Sequence, residues 1–329
     1  MEPIILPRIS DRKPLVTVVS ITYNHESYIR DCLEGFLMQK TSFPVEVIIH
    51  DDASTDHTAE IIREYYEKRP DLFYVIIEKE NQFSKNKIIS LPLYKQAQGK
   101  YIAFCEGDDY WTDPLKLQKQ FDFLEKNQDY IASVHRFDVV DKHGSPLSVK
   151  TFGFYNEDQT GKFSLKDLGT IEGLPSHMNT LMFRNVFLDK NVVYPEELKK
   201  NGFYGDRKLF FLLLLHGDIY RAKEKMSSYR HVCEAGGSSW SSRQIGKNNA
   251  YERWKNDIDL EKIAKNYNKE IYFKTRRLNV GPELVYGVLR ERSLKSIINL
   301  IHYCTMQRGA ILHILYRSFG AIKRRICTC

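Results

Sequence analysis

Four short apolar runs, each followed by a polar or acidic break and then a helical pattern, constrain the first third of the chain. The runs are residues 15–21 (LVTVVSI), 45–49 (VEVII), 73–77 (FYVII) and 101–104 (YIAF). Helical spacing follows at Ile29, Leu33, Phe36 and Leu37, at Ile61, Ile62, Tyr65 and Tyr66, and between Ser90 and Gln98. A fourth helix runs through Leu117, Phe121 and Leu124, opened by Pro114, a residue suited to a first helical turn. Strands and helices alternating in this way predict a parallel or mostly parallel sheet with helices on both faces. Right-handed crossovers then bring the carboxyl ends of the strands to one edge, where open α/β sheets bind their ligands.

Two acidic clusters stand at that edge. One is His50-Asp51-Asp52-Ala53-Ser54-Thr55-Asp56 and the other is Glu106-Gly107-Asp108-Asp109, followed by Tyr110 and Trp111. Carboxylates packed together repel one another unless they share a cation, and hard oxygen ligands suit Mg²⁺ or Mn²⁺, which bridge carboxylates to substrate phosphates. The pattern therefore predicts a metal–diphosphate site in preference to a solvated acidic turn, with the two aspartate pairs converging on one crevice. Further on, the sequence predicts strands over residues 131–141 and 180–183 and an apolar helix at Leu209–Leu215 led by Gly205-Asp206. A small-residue loop covers residues 236–242, beyond which the chain turns basic and mostly helical.

These motifs resemble those of the family 2 glycosyltransferases, inverting enzymes of GT-A fold that use nucleotide-diphosphate sugars. The resemblance is carried by residues 16–24, 50–56 and 99–109 and covers about residues 14–242. The continuation 110–118 (YWTDPLKLQ) is similar to the bacterial branch that builds surface polysaccharides. It implies that Thr22 and Tyr23 border the nucleotide, that Asp52 accepts a hydrogen bond from the base, that Asp108 lies near the ribose and that Asp109 ligates the metal. It implies Asp206 as the general base; the residue also suits a helix N-terminus on macrodipole grounds. Lys85, with Lys87 nearby, and His231 in Tyr229-Arg230-His231 occupy regions expected near the diphosphate. His177 faces either the acceptor or the surface.

The sequence thus predicts a GT-A type α/β domain, a mostly parallel Rossmann-like sheet flanked by helices, over 1–242, and a basic, mainly helical region over 243–329. Its net charge of +7 divides unevenly: residues 243–329 hold 18 Lys or Arg against 7 Asp or Glu, so the rest carries −4. Apolar stripes at Leu294, Ile297, Ile298 and Ile301, and at Ile311, Leu312, Leu315, Phe319 and Ile322, alternate with cations. They suit either an anionic membrane surface or packing against protein. A nucleic-acid partner is not expected, since the basic segment carries no recognisable binding motif. Residues 1–9 hold two prolines and no apolar core, and no apolar run approaches a membrane span. Six cysteines show no disulfide or zinc spacing, so the reading is cytoplasmic, with attachment at the inner face of the plasma membrane as an option. The partners read from the sequence are a nucleotide-sugar donor and a glycan or lipid-linked acceptor. Rival readings are a sugar-nucleotide-forming nucleotidyltransferase, which would carry a Gly-rich phosphate loop where Thr22-Tyr23-Asn24-His25 stands, and an inactive glycan-assembly scaffold.

Overall fold

The computed structural model describes residues 2–148, 160–170, 174–189, 195, 198, 205–233, 242, 249–307, 309–312 and 314. The strands are β1 (Ile4–Leu6), β2 (Val16–Thr22), β3 (Val45–Asp51), β4 (Phe73–Ile77), β5 (Tyr101–Phe104), β6 (Tyr110–Trp111), β7 (Tyr130–Val140), β8 (Pro146–Leu147), β9 (Gly161–Phe163), β10 (Met182–Arg184) and β11 (Asp218–Arg230). The helices are α1 (Ile29–Leu37), α2 (Thr58–Lys68), α3 (Ser90–Gln96), α4 (Lys116–Lys126), α5 (Leu165–Thr170), α6 (Gly205–His216), α7 (Ala250–Asn266), α8 (Lys274–Glu291) and α9 (Leu294–Met306). Two compact units interleave along the chain: residues 1–164, 173–194 and 212–232 form the first, and 165–172, 195–211 and 233–329 the second. The composition shift at 242 therefore does not coincide with one cut between units, because 165–172 and 195–211 join the basic region.

All described strands belong to one mixed sheet in the first unit, ordered β1-β4-β3-β2-β5-β10-β7-β11-β6, with β8 on β7 and β9 on β11. The half read from the four apolar runs is parallel throughout, β4-β3-β2-β5. Its central strands are buried on both faces, as parallel strands covered by helices must be. Val16, Val18, Val47, Ile49, Val75, Tyr101 and Ala103 pack with Ile29, Leu33 and Phe36 of α1, Ile61 and Ile62 of α2, and Leu117 and Leu124 of α4. Beyond β5 the sheet changes character: β10 runs antiparallel to both β5 and β7, while β7 and β11 pair in parallel.

Strand β11 is the element that the sequence pattern does not announce. Its 13 residues mix buried and exposed positions without steady alternation, because register shifts interrupt its pairing with β7 between Arg221 and Ser227. Period-2 reasoning fails across such irregularities. In the parallel half the registers set the edge level. Thr22 lies opposite Asp51, and Cys105 and Gly107 then extend β5 along β2 by donating to Val19 O and Ile21 O at 3.2 and 3.0 Å. Gly107 is required for this approach, since a Cβ there would lie 2.6 Å from Thr22 Oγ1.

Beneath the acidic turn lies a buried polar layer. Lys116 is fully buried; its Nζ donates to Gln120 Oε1 at 2.9 Å and sits 4.1 Å from the centre of the Trp111 ring. Gln120 Nε2 in turn donates to Ser133 O and Thr180 O at 2.8 and 2.9 Å, tying α4 to β7 and to the turn before β10. Burial lowers the Lys116 ammonium from 10.5 to about 7. Between pH 7 and 10 the unfolded chain therefore binds more protons than the native one, and stability rises with pH by up to about 1.4 kcal/mol for each pH unit. Below pH 7 the cost of the buried charge is fully present. We expect Lys116→Met to raise the urea midpoint more at pH 6.5 than at pH 9.5; an equal shift at both would mean that the ammonium is not destabilised by burial.

Candidate active site

The loops at the carboxyl ends of β2 and β3 are latched to each other. Asn24 adopts φ 55° and Ala53 φ 61°, both in the left-handed region. Asn24 N donates to Ser54 Oγ at 2.9 Å and its Oδ1 accepts from Thr55 N at 2.8 Å, while His25 N donates to Thr58 Oγ1 at 2.8 Å. Thr22 Oγ1 lies 3.1 Å from His25 Nδ1, whose other ring nitrogen is 3.8 Å from the Asp108 carboxylate. Tyr23 follows, half-buried. Asp51 accepts from both the amide and the hydroxyl of Ser54, an ordinary turn role, and burial pushes its carboxyl up.

Asp52 is 1% exposed, and its oxygens accept the backbone N–H groups of Gln82 and Phe83 at 2.7 and 3.0 Å. It thereby fixes the loop after β4 against the end of β3. Lys85 in that loop is exposed and pairs with Glu80, and Lys87 donates to Gln82 Oε1 at 2.6 Å. Both lysines meet partners within their own loop.

The acidic turn gathers the strongest interactions. Asp109 is 1% exposed; Oδ1 accepts the Arg230 amide at 2.8 Å, whereas Oδ2 is buried and accepts no hydrogen bond from the described residues. His177 Nδ1 lies 3.4 Å from that Oδ2 and also accepts the Asn179 amide. Ligand atoms of Glu106, Asp109 and His177 all lie within 4.8 Å of one another. Burial, then the neighbouring charges of Asp108 and Glu106, push the Asp109 carboxyl well above the usual carboxylate range. Burial lowers His177 to about 4, so the imidazole is neutral at physiological pH, the form that binds metal. An orphaned buried oxygen, two further donors within reach and mutual carboxylate repulsion fit a divalent cation, and the O-rich set with one imidazole suits Mn²⁺ or Mg²⁺.

His177 is thus no surface residue. It stacks on Tyr229 with ring centres 4.1 Å apart, and the Tyr229 hydroxyl lies 3.2 Å from His231 Nδ1. Two residues reach the turn through pairings that the sequence pattern did not supply. A short 3₁₀ turn, Met178–Thr180, leads into β10, and His177 at its start lies beside the Asp109 carboxylate. Extending Ser228↔Tyr110 along β11 brings Arg230 opposite Asp108. Arg230 is buried; its guanidinium donates to Asp108 O at 2.9 Å and Asp31 Oδ2 at 2.7 Å and lies 4.5 Å from the Tyr28 ring centre. His177 arrives on the lead-in to β10, the strand antiparallel to β5, and Arg230 at the carboxyl end of β11, the strand antiparallel to β6.

Asp206 belongs to the second unit, in the first turn of α6. Its Oδ1 accepts the Arg207 amide at 2.7 Å, and burial raises its carboxyl above the ordinary value. Beside it Arg207 forms a buried pair with Asp257 at 2.5 Å and lies over the Phe273 ring. Gly236, Gly237 and Trp240, read from the sequence as a late loop, lie outside the described residues.

Comparison with known proteins follows the same outline. Residues 17–189 match the model of the family Glycosyl transferase family 2. An uncharacterized Mycobacterium bovis protein is 46% identical over 133 residues, 40% of this chain and 37% of that protein. The putative teichuronic acid biosynthesis glycosyltransferase TuaG of Bacillus subtilis is 36% identical over 139 residues, 41% of this chain and 51% of its own length. The matched stretch thus spans 37 to 51% of the length of these relatives. Staphylococcus aureus TarS 1–349, solved in complex with UDP-GlcNAc, shares the fold with TM-score 0.57 at 19% identity, covering 90% of this chain and 81% of that one.

If Glu106, Asp109 and His177 form a cation site, Asp109→Asn and His177→Ala each weaken Mn²⁺ binding to the full chain, measured by titration calorimetry, by on the order of tenfold or more. Glu106→Gln has a smaller effect because that side chain is exposed. Unaltered Mn²⁺ affinity in both of the first two variants would rule out the site.

Proposed function

Because the chain belongs to glycosyl transferase family 2, we propose that it moves a sugar from a nucleoside-diphosphate donor to a glycan or lipid-linked acceptor with inversion at the anomeric carbon. Its mixed sheet flanked by helices is the GT-A arrangement. The observation that carries the reading is the Glu106, Asp109 and His177 cluster at the carboxyl ends of β2 and β5, with Asp109 Oδ2 buried and without a hydrogen bond among the described residues. When bound there, a divalent cation supplies positive charge for the departing diphosphate.

The chain's own residues do the rest. Thr22 and Tyr23 border the nucleotide, with Asp108 at the ribose. Asp52 receives the base; each of its oxygens keeps a second lone pair beyond the Gln82 and Phe83 bonds, so a base N–H can be accepted without releasing the loop. Lys85 and His231 are the remaining candidates for the diphosphate. Asp206 acts as general base, and its raised carboxyl makes it a stronger proton acceptor than an ordinary aspartate. The acceptor hydroxyl gives its proton to Asp206 as its oxygen bonds to the anomeric carbon. The bond from that carbon to the diphosphate oxygen breaks, and its electron pair leaves with the nucleoside diphosphate.

The putative teichuronic acid role of TuaG supports a place in polysaccharide assembly, and the UDP-GlcNAc held by TarS supports a nucleotide-sugar donor. The four described cysteines are free, in keeping with a cytoplasmic setting. The test is a panel of nucleotide sugars with Mn²⁺, read by thermal stabilisation and then by donor turnover with acceptor. Asp206→Asn is expected to lower kcat by about 10²- to 10⁴-fold with donor binding kept. Asp52→Ala is expected to weaken donor binding by roughly tenfold or more. A wild-type chain that no nucleotide sugar stabilises, with or without metal, would sink the reading; full turnover by Asp206→Asn would remove only the base.

A further inference from the structure

Helix α9 is apolar on two faces, and only one of them is covered. Ser296, Leu300, Tyr303 and Cys304 face inward, where Tyr303, Leu300 and Cys304 pack with Trp254, Val280 and Leu284 of the second unit. The opposite stripe, Leu294, Ile297, Ile298 and Ile301, is 73, 42, 54 and 57% exposed. Spacing of three and four residues makes it one continuous ridge. Met306, Ile311 and Leu312 just beyond are exposed as well, as are Tyr286 and Leu289 near the end of α8. A contiguous apolar face of this extent on a folded unit marks a contact surface.

Charge selects the occupant. From Arg292 to Cys329 the sequence holds seven Lys or Arg (Arg292, Lys295, Arg308, Arg317, Lys323, Arg324 and Arg325) and no Asp or Glu. A second copy seated on this face by a two-fold axis would set the exposed Arg292 and Lys295 against their own images, since an isologous contact pairs a surface with itself. A surface of apolar interior and negative headgroups matches both properties at once. No described helix is long and apolar enough to cross a membrane, so contact is lateral.

We propose that the outer face of α9, with the exposed Met306, Ile311 and Leu312 beyond it, docks on the surface of an anionic lipid bilayer. The apolar ridge enters the headgroup region while Arg292 and Lys295 meet lipid phosphates. Neither the donor nor the chemistry of the acidic turn enters this inference.

The test is co-sedimentation of the full chain with phosphatidylcholine vesicles, with and without phosphatidylglycerol. Partitioning is expected to be roughly tenfold or more higher on the anionic vesicles and to fall as salt rises. The double variant Ile298→Glu with Ile301→Glu, and separately Arg292→Glu with Lys295→Glu, each lose that binding while circular dichroism and thermal melting stay unchanged. Equal binding to both vesicle types, binding to neither, or a dimer seen by light scattering that the isoleucine variant dissolves would each overturn the proposal. The measurement needs no substrate, so its failure leaves the sugar-transfer reading standing, and loss of turnover leaves this one standing.

Discussion

Asn179 holds the site together. This amide is fully buried and bonded in four directions: Oδ1 accepts from Ser227 Oγ, Nδ2 donates to Ser228 O, its carbonyl accepts from Trp111 Nε1, and its N–H meets His177 Nδ1. Through it the turn before β10, the end of β11 and the two-residue strand β6 become one rigid frame around the acidic turn. Buried polar groups cost free energy unless satisfied, so a network this complete favours one arrangement of these three segments over its alternatives. His177 and Arg230 owe their places beside Asp109 to that frame.

The frame explains how a charged site survives with so little solvent. Asp109 is buried beside two other acids, a placement that raises its carboxyl and disfavours ionisation. Part of the offset comes from Arg230, whose amide donates to Asp109 and whose guanidinium holds the Asp108 carbonyl. Among the described residues Asp109 Oδ2 has no hydrogen-bond donor, which is the feature that fits a cation. His177 is neutral for the same reason that Asp109 is strained, because burial penalises whichever form is charged. One low-dielectric pocket thus prepares both a carboxylate in need of a counter-charge and a neutral imidazole, whose Nδ1 lone pair would pass from the Asn179 amide to a bound cation.

Lys116 shows the same physics used structurally. An ammonium kept under Trp111 joins α4 to β6 at a cost that its hydrogen bond to Gln120 only partly offsets. In the second unit, by contrast, Arg207 is buried with a full carboxylate partner, Asp257, next to Asp206. Polar burial therefore recurs beside the candidate residues of both units, and aliphatic packing fills the layers between the helices and the parallel strands.

How much was legible beforehand depended on the range of the interaction. The sequence alone determined the four parallel strands, their helices and the positions of Asp52, Asp108 and Asp109, because hydrophobic period and chain order are local properties. Resemblance to a glycosyltransferase family was legible in the same residues and is confirmed by the family match over 17–189. The sequence also revealed the ridge at Leu294, Ile297, Ile298 and Ile301, though not which way it faced; folding turned Tyr303 inward and left the ridge out. Tertiary structure alone decided that His177 and Arg230 stand beside Asp109. It alone decided that β11, interrupted by register shifts, runs between β7 and β6, and that Asp52 also pins the loop at Gln82. Those placements follow from antiparallel and long-range pairing, where a residue's neighbours are set by register across the sheet and leave no periodic trace in the segment itself.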